Sequence, residues 1–423
     1  MGYVTEKRGG KMRVLVLPSW YPNAKDKING SFFQEQAKLI HNSPDTDVKI
    51  LICRFPTRPS TWSIRQPIKT FLNILKIVCQ IRTISDFKDD ETLTSPPLLE
   101  INQSTLNPIK RFRYKQRIRV YLRAFDELLS SGWRPDILHA HTVKMGGLAA
   151  YHISKKYDIP YVITEHSPFH LANFPKFMRR EIKDAFSTAD QVLSLGYDKV
   201  RQLGMSDIHV EPRLIYNFVD ETIFEKVCAA YQPSEKLRII SIGAASPLKD
   251  HSTLLKALYE LKQRKINFQL TLAGLKIWGS EYNAILKKIA DLTLQNEIRL
   301  VDRIDRQDVP SHMKGHNCFV ITSIAEGLPV SVLEAQACGL FVVATRHGGT
   351  EDILTPNTGA LAEVKNHTKI ADHLENLYRG KIKHDPRLIR QQIISTCGTE
   401  AFRNRQISFY KQAINCHEQQ RQS

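Results

Sequence analysis

The chain has 423 residues, a formal net charge of +17, 42% hydrophobic and 24% charged residues. That length exceeds one ordinary core and points to two large domains of globular composition. No apolar run approaches the roughly 18 residues of a membrane span. Met1 to Pro22 lacks a signal-peptide pattern, and Glu6 stands where a myristoylation signal needs Ser or Thr. Seven cysteines without a C-x-x-C fit a reducing compartment and argue against a disulfide framework or structural zinc. These features set the expectation of a cytoplasmic protein, and the charge that of an acidic partner.

In chain order, RVLVLPSWYP from Arg13 reads as an apolar strand entering a turn-prone loop, followed by the amphipathic helix FFQEQAKLIHN and the strand VKILIC. A basic stretch comes next: from Ser60 to Arg123 there are twelve Lys or Arg against five Asp or Glu. Within it, IKTFLNILKIVCQIR carries Phe71, Ile74, Leu75 and Val78 at helical spacing, flanked by Lys69, Lys76 and Arg82. NPIKRFRYKQRIRVYLRAFDELL carries the stripe Ile118, Leu122, Phe125 and Leu129 among Lys110, Arg111, Arg113, Lys115, Arg117, Arg119 and Arg123. Basic amphipathic helices suit an anionic membrane surface; the alternative is a pair of core helices with solvated basic faces. Nucleic acid is disfavoured, because no zinc pattern or aromatic-basic RNA-binding motif accompanies the charge. Between these segments, Ser85 to Asn107, rich in Asp, Thr and Pro, reads as a mobile insertion.

Strands DILHAH, PYVITEH and QVLSLG then complete a first α/β half, and RLIYNFVDETIFEKVCAAYQPSEKL supplies one more short strand and a link. A second half opens on RIISIGAAS from Arg238, continues through the helix STLLKALYELKQRK, and adds strands FQLTLAG, IRLVD, CFVITS and FVVAT. The alternation predicts two doubly wound parallel-sheet domains. Neither half has a G-x-G-x-x-G or a Walker A loop after its opening strand.

The stretch SIAEGLPVSVLEAQACGLFVVATRHGG, Ser323 to Gly349, sets Glu326 and Glu334 eight residues apart among small and apolar neighbours. CFVITS reads as a buried strand that stops at GLP, and VSVLEAQAC as a helix starting there. Glu326 would then lie on a loop at a strand's carboxyl end, where open α/β sheets bind ligands, and Glu334 in the first turns of a buried helix. On chemistry alone, the hydroxyl groups of a ligand, or simple capping or solvation, would each account for the pair.

This E-x7-E segment, with SIGAASPLKDHSTLLKAL, PSWYPNAKDKINGSFFQEQ, DILHAHTVKMGGLAAYHISKKYDIPYVITEH and LIYNFVD, resembles glycosyltransferase family 4. The resemblance runs from Met12 to about Tyr410. It implies a GT-B fold, two Rossmann-like domains facing a central cleft, and a retaining, metal-independent transfer from a nucleotide sugar with no cofactor. The expected layout is an extension at 1–11, an acceptor-binding domain at 12–219 with the basic insertion at about 60–123, and a linker at 220–236. A nucleotide-sugar domain at 237–400 and a terminal helix at 401–423 returning to the first domain complete it.

By the same resemblance Glu334 would hold the donor ribose and Glu326 the donor sugar. Val330, Ser331 and Val332 would present backbone N–H groups to the diphosphate, with Lys249 adding charge to it. Gly30 and Ser31 would approach the diphosphate and acceptor, His141 the donor sugar, and His166 the acceptor; His139 would point back into the sheet. The catalytic assignment is His141, Glu326 and Lys249. Two departures stand out: Ala244 where an arginine is common, and Asp302 where a glycine is common. Arg303 is expected to compensate at the diphosphate and Ile304 to contact the base. The implied activity is sugar transfer to a glycolipid or polysaccharide acceptor at the inner membrane face, in assembly of a bacterial surface polysaccharide. A non-hydrolysing nucleotide-sugar epimerase and a non-catalytic basic binding protein are the alternatives on the same fold.

Overall fold

The computed structural model describes residues 10–23, 29–54, 83–88, 96–102, 110–166, 168–224, 227–228, 231–233, 235–275, 279–302, 304 and 306–422. They form two compact units. The first comprises Met1–Ser194, Gln202–Arg213 and Arg405–Ser423, and the second Leu195–Arg201 and Leu214–Asn404.

The first unit is built on β1 (Met12–Pro18), β2 (Thr46–Arg54), β3 (Thr83–Lys88), β4 (Leu98–Asn102), β5 (Ile137–His141), β6 (Tyr161–Glu165), β7 (Gln191–Ser194) and β8 (Arg213–Leu214). The sheet order is β3-β4-β2-β1-β5-β6-β7-β8. β1 pairs in parallel with β2 on one side and β5 on the other, so the chain winds outward in both directions from that junction. Val14, Leu15, Val16 and Leu17 of β1 are all buried, as a parallel strand covered on both faces requires.

Two expectations for the basic region are corrected here. The stretch expected to be a mobile insertion contributes two strands: β4 pairs in parallel with β2, matching Ile50 to Leu98, and β3 runs antiparallel to β4. Leu99 and Ile101 of β4 are buried, and that burial outweighs the polar composition around them. The basic helix over Lys110–Ser130 is a core helix: Tyr114, Ile118, Tyr121, Phe125 and Leu128 pack into the first unit's core, with Leu122 and Leu129 beside them. Its apolar stripe is therefore covered by protein and unavailable to a bilayer. The other expected basic helix, IKTFLNILKIVCQIR, lies outside the described residues.

The second unit is built on β9 (Leu237–Ile242), β10 (Phe268–Ala273), β11 (Ile298–Val301), β12 (Cys318–Ile321), β13 (Phe341–Thr345) and β14 (Gly359–Ala362), in the order β11-β10-β9-β12-β13-β14. All these pairings are parallel. Alternate residues feed two cores on opposite faces: Ile239, Cys318, Val320 and Val343 join one, and Ile240, Phe319, Ile321 and Val342 the other. The first member, β9, meets β12 where the winding reverses, and open α/β sheets place ligands outside such a junction.

The unit boundary differs from the expected one at 219. Leu195–Arg201 belongs to the second unit although it follows directly on β7. Leu195 is buried in the second unit's core, and the side chain of Lys199 is held there by a backbone carbonyl.

Candidate functional site

At the β9–β12 junction the two strands end in loops that are stitched together. A 3-10 turn, Pro247–Lys249, follows β9, and Asp250 in the left-handed conformation caps the helix His251–Gln263, its carboxylate accepting from the Thr253 N–H and hydroxyl. Just after β12, the Thr322 hydroxyl donates to the carbonyls of Lys249 and Asp250, and the Ile324 N–H to the carbonyl of Leu248. This stitching brings Lys249 against Glu326, with Nζ 2.5 Å from Oε1. The Ser323 hydroxyl donates to the same carboxylate oxygen at 2.8 Å. Both partners are about one-fifth exposed, so the pair faces outward and can exchange one partner for another.

The loop then opens the helix Val330–Ala337, whose preceding residue is Pro329 and whose first turn has no side-chain cap. Val330, Ser331 and Val332 form that turn. An uncapped helix start presents backbone N–H groups and a partial positive charge to an anion. Glu334 lies one turn further in and is 5% exposed.

A third loop, after β13, closes the arrangement. The Glu326 N–H donates to the carbonyl of His347, and the Thr345 hydroxyl to the carbonyl of Ser323. A Cβ on Gly349 would lie 1.6 Å from the carbonyl oxygen of Gly327, so only glycine permits this approach. Glu351 accepts from the N–H groups of Gly348 and Thr350. Burial pushes the His347 imidazole below its ordinary pKa, opposed by the nearby carboxylates of Glu326 and Glu351.

Lys199 is the participant the sequence reading missed. It is 1% exposed, donates through Nζ to the carbonyl of Glu326 at 2.8 Å, and lies 3.5 Å from Asp198. Nothing in LGYDKV marks that lysine as buried. The nearby GGTED run, by contrast, carried a signal: two glycines before two acids, at the end of an apolar strand, announce a tight backbone approach. Of the remaining expected residues, Ile304 packs at the edge of a second-unit core, and Asp302 is exposed with its carbonyl accepting from the Gly274 N–H. Ala244 is exposed, and its carbonyl receives His251 Nε2 at 3.2 Å. Arg303 lies outside the described residues.

The first unit gathers its own set at the β1–β5 junction. Gly30, at φ 83°, starts the helix Ser31–His41 and packs 3.0 Å (measured to a Cβ built there) from Trp20 and Tyr21. Phe33 of that helix stacks on His141 with ring centroids 4.5 Å apart. His141 Nδ1 is 2.9 Å from His166 Nε2. His139 is bonded through Nε2 to the Thr164 hydroxyl at 2.8 Å and through Nδ1 to the Tyr410 hydroxyl at 2.7 Å. All three imidazoles are buried. Burial lowers His139 and His166 to about 3 and holds His141 well below its ordinary value, so they are neutral at pH 7.

An ammonium–carboxylate pair and an uncapped helix start, on loops at the switch point of the parallel sheet, have the chemistry to take a diphosphate and polar hydroxyls, and two α/β units of this kind in one chain match the GT-B fold. Two family profiles carry this further: "Glycosyl transferases group 1" matches residues 229–393, and "Glycosyltransferase Family 4" matches residues 84–222. The chain belongs to glycosyltransferase family 4. It is similar to a D-inositol 3-phosphate glycosyltransferase of Pseudarthrobacter chlorophenolicus, 25% identical over 270 residues that cover 58% of this chain and 63% of that one. It is also similar to the amylovoran biosynthesis glycosyltransferase AmsK of Erwinia amylovora, 28% identical over 160 residues covering 36% and 38% of the two chains. The match thus spans less than two thirds of each of these relatives. In fold it is similar to the lipopolysaccharide outer core galactosyltransferase WaaB, with a TM-score of 0.68 and 15% identity over 97% of this chain and 100% of that one. Anabaena HepE in complex with UDP gives a TM-score of 0.65 at 15% identity, covering 94% and 99%.

Proposed function

We propose that the protein is a retaining glycosyltransferase that moves a sugar from a nucleotide-sugar donor to a lipid-linked or polysaccharide acceptor, in the building of a bacterial surface polysaccharide. The observation that carries this reading is the Lys249–Glu326 pair held at the β9–β12 junction beside the uncapped start of Val330–Ala337. The donor diphosphate takes Lys249 Nζ and the N–H groups of Val330, Ser331 and Val332, and Glu326 turns to the sugar hydroxyls. Glu334 takes the ribose hydroxyls. The leaving diphosphate is neutralised by these groups, so transfer persists in the presence of a chelator.

The first unit is assigned the acceptor, with Gly30, Ser31, His141 and His166 near the carboxyl ends of its strands. In the transfer, the acceptor oxygen bonds to the anomeric carbon on the face from which the diphosphate oxygen departs. The acceptor proton passes to a phosphate oxygen of the leaving group. An amylovoran enzyme and a phosphatidylinositol monomannoside mannosyltransferase among the relatives support a polysaccharide or glycolipid acceptor, worked at the inner membrane face.

The test is to incubate the protein with radiolabelled nucleotide sugars and polyprenyl-diphosphate-linked acceptors, and to read the new linkage by NMR. Transfer with the donor's anomeric configuration kept is the expected result. An inverted linkage would refute the retaining mechanism, and a free epimerised nucleotide sugar formed without acceptor would replace transfer by epimerisation.

A further inference from the structure

The first unit holds a cavity that takes no part in the sites described above. Its walls are three helices, Lys110–Ser130, Leu148–Tyr157 and Lys176–Ser187, and its volume is about 460 Å³. Tyr151, Phe177 and Ile118 give it an apolar floor, while Arg111, Lys115, Arg119 and Arg180 line it with cations. Arg111, Lys115 and Arg119 are spaced four apart on one helix and so project along one edge. All four cations are exposed, and none pairs with a carboxylate among the described residues.

The cavity's carboxylates offset only part of this charge. Glu181 accepts from the Tyr114 hydroxyl through Oε2 at 2.6 Å and faces His152 Nε2 through Oε1 at 2.7 Å, so both of its oxygens are engaged. With Asp184, the lining sets two acids against four cations, a net excess of positive charge. Next to Arg111, Phe112 stands 54% exposed, a large apolar ring beside the cationic edge.

An apolar floor, a cationic edge and a neighbouring exposed aromatic ring match a phosphate attached to an apolar chain better than a free anion, which has no use for the floor. We propose that this cavity is a docking site for an anionic phospholipid headgroup, and that it seats the first unit on the membrane. The proposal deepens the membrane-acceptor reading of the proposed function, on which it rests for its purpose. It replaces the buried apolar stripe of Lys110–Ser130 as the means of contact.

The experiment measures binding of the full chain to vesicles of phosphatidylcholine alone and of phosphatidylcholine with phosphatidylglycerol. Three proteins are compared: wild type, Arg111→Gln/Lys115→Gln/Arg119→Gln, and the equal-charge control Lys256→Gln/Lys287→Gln/Lys369→Gln in the second unit. The wild type is expected to bind only the anionic vesicles. Each cation near such a surface contributes about fivefold, so the cavity triple variant should bind on the order of 100-fold more weakly. The control should stay within about threefold of wild type. Short-chain phosphatidic acid should displace the protein at concentrations where inorganic phosphate does not.

Equal losses in the two variants would make the attraction diffuse and overturn the proposal, as would no binding of the wild type to anionic vesicles. Displacement by inorganic phosphate as good as that by the lipid would also overturn it, assigning the cavity to a free anion. Nucleotide binding by the second unit is measured on the same variants. If the wild type binds nucleotide but not anionic vesicles, the cavity proposal falls and the donor reading stands; nucleotide binding kept by the triple variant shows that its loss of vesicle binding is not misfolding.

Discussion

Lys199→Met removes a charge from the interior while nearly preserving the volume of the side chain, and it tests whether the loop bearing Glu326 is held from below. Lys199 is 1% exposed, and its Nζ is a donor to the carbonyl of Glu326. The neighbouring Asp198 keeps a partner in the variant, because Arg201 reaches it at 2.6 Å. At the loop, the Glu326 carbonyl is deprived of its charged donor, a cost of about 1–3 kcal/mol. Part of that is offset because the lysine no longer has to be desolvated, which leaves an expected destabilisation of about 1–2 kcal/mol. For a folding unit of this size, each kcal/mol lowers Tm by about 2–4 °C. Thermal unfolding followed by circular dichroism should thus show a fall of about 2–8 °C. Titration with the stabilising nucleotide should show a weaker Kd, since the loop that carries Glu326 loses an anchor. Asp198→Asn is the control and should lower Tm less. A Lys199→Met protein with wild-type Tm and wild-type nucleotide affinity would refute the claim that this lysine positions the loop.

The remaining predictions concern both units. His139 and His166 titrate near 3 in the folded chain and near 6.5 when unfolded, so between these values the unfolded state binds more protons and stability rises with pH. Their contribution is complete above about pH 6.5 and is lost as pH falls toward 3, at up to about 1.4 kcal/mol per pH unit for each; a Tm unchanged between pH 7 and 5 would contradict this. Tyr410→Phe leaves the buried Nδ1 of His139 without its hydroxyl partner and should cost about 1–3 kcal/mol in urea unfolding, whereas no change would show that the bond carries no weight. Gly349→Ala forces a Cβ into the carbonyl of Gly327 and should abolish nucleotide-dependent stabilisation or prevent folding; a soluble variant with normal nucleotide affinity would show that the close approach is dispensable.

Much of the fold was legible because its strands are short, β-branched and separated by helices, so RVLVLP, DILHAH, RIISIG, CFVITS and FVVAT could each be placed. The E-x7-E spacing likewise placed Glu326 on a loop and Glu334 on the helix that follows it. The failures have a common cause, which is that burial is decided by neighbours distant in sequence. The strand Leu98–Asn102 looked like part of a polar insertion because its buried Leu99 and Ile101 sit in a stretch rich in Asp, Thr and Pro. The basic helix looked suited to a membrane because cations outnumber its apolar stripe, although Tyr114, Tyr121 and Phe125 had a sheet to cover. Lys199 was invisible because its partner, a backbone carbonyl, lies more than a hundred residues away and carries no sequence signal.

The central claim is that the β9–β12 junction binds a nucleotide sugar through Lys249, Glu326 and Glu334. It is tested most directly by thermal shift with a panel of nucleoside diphosphates and their sugars, on wild type and on Glu334→Gln and Lys249→Met. A ligand at 100 times its Kd stabilises the folded state by about 2.7 kcal/mol, a shift that is easily read. The account predicts that one nucleotide series raises the Tm of the wild type and that both variants, folded as before, lose most of that rise. Stabilisation undiminished in both variants, or none in the wild type with any nucleotide, would contradict it.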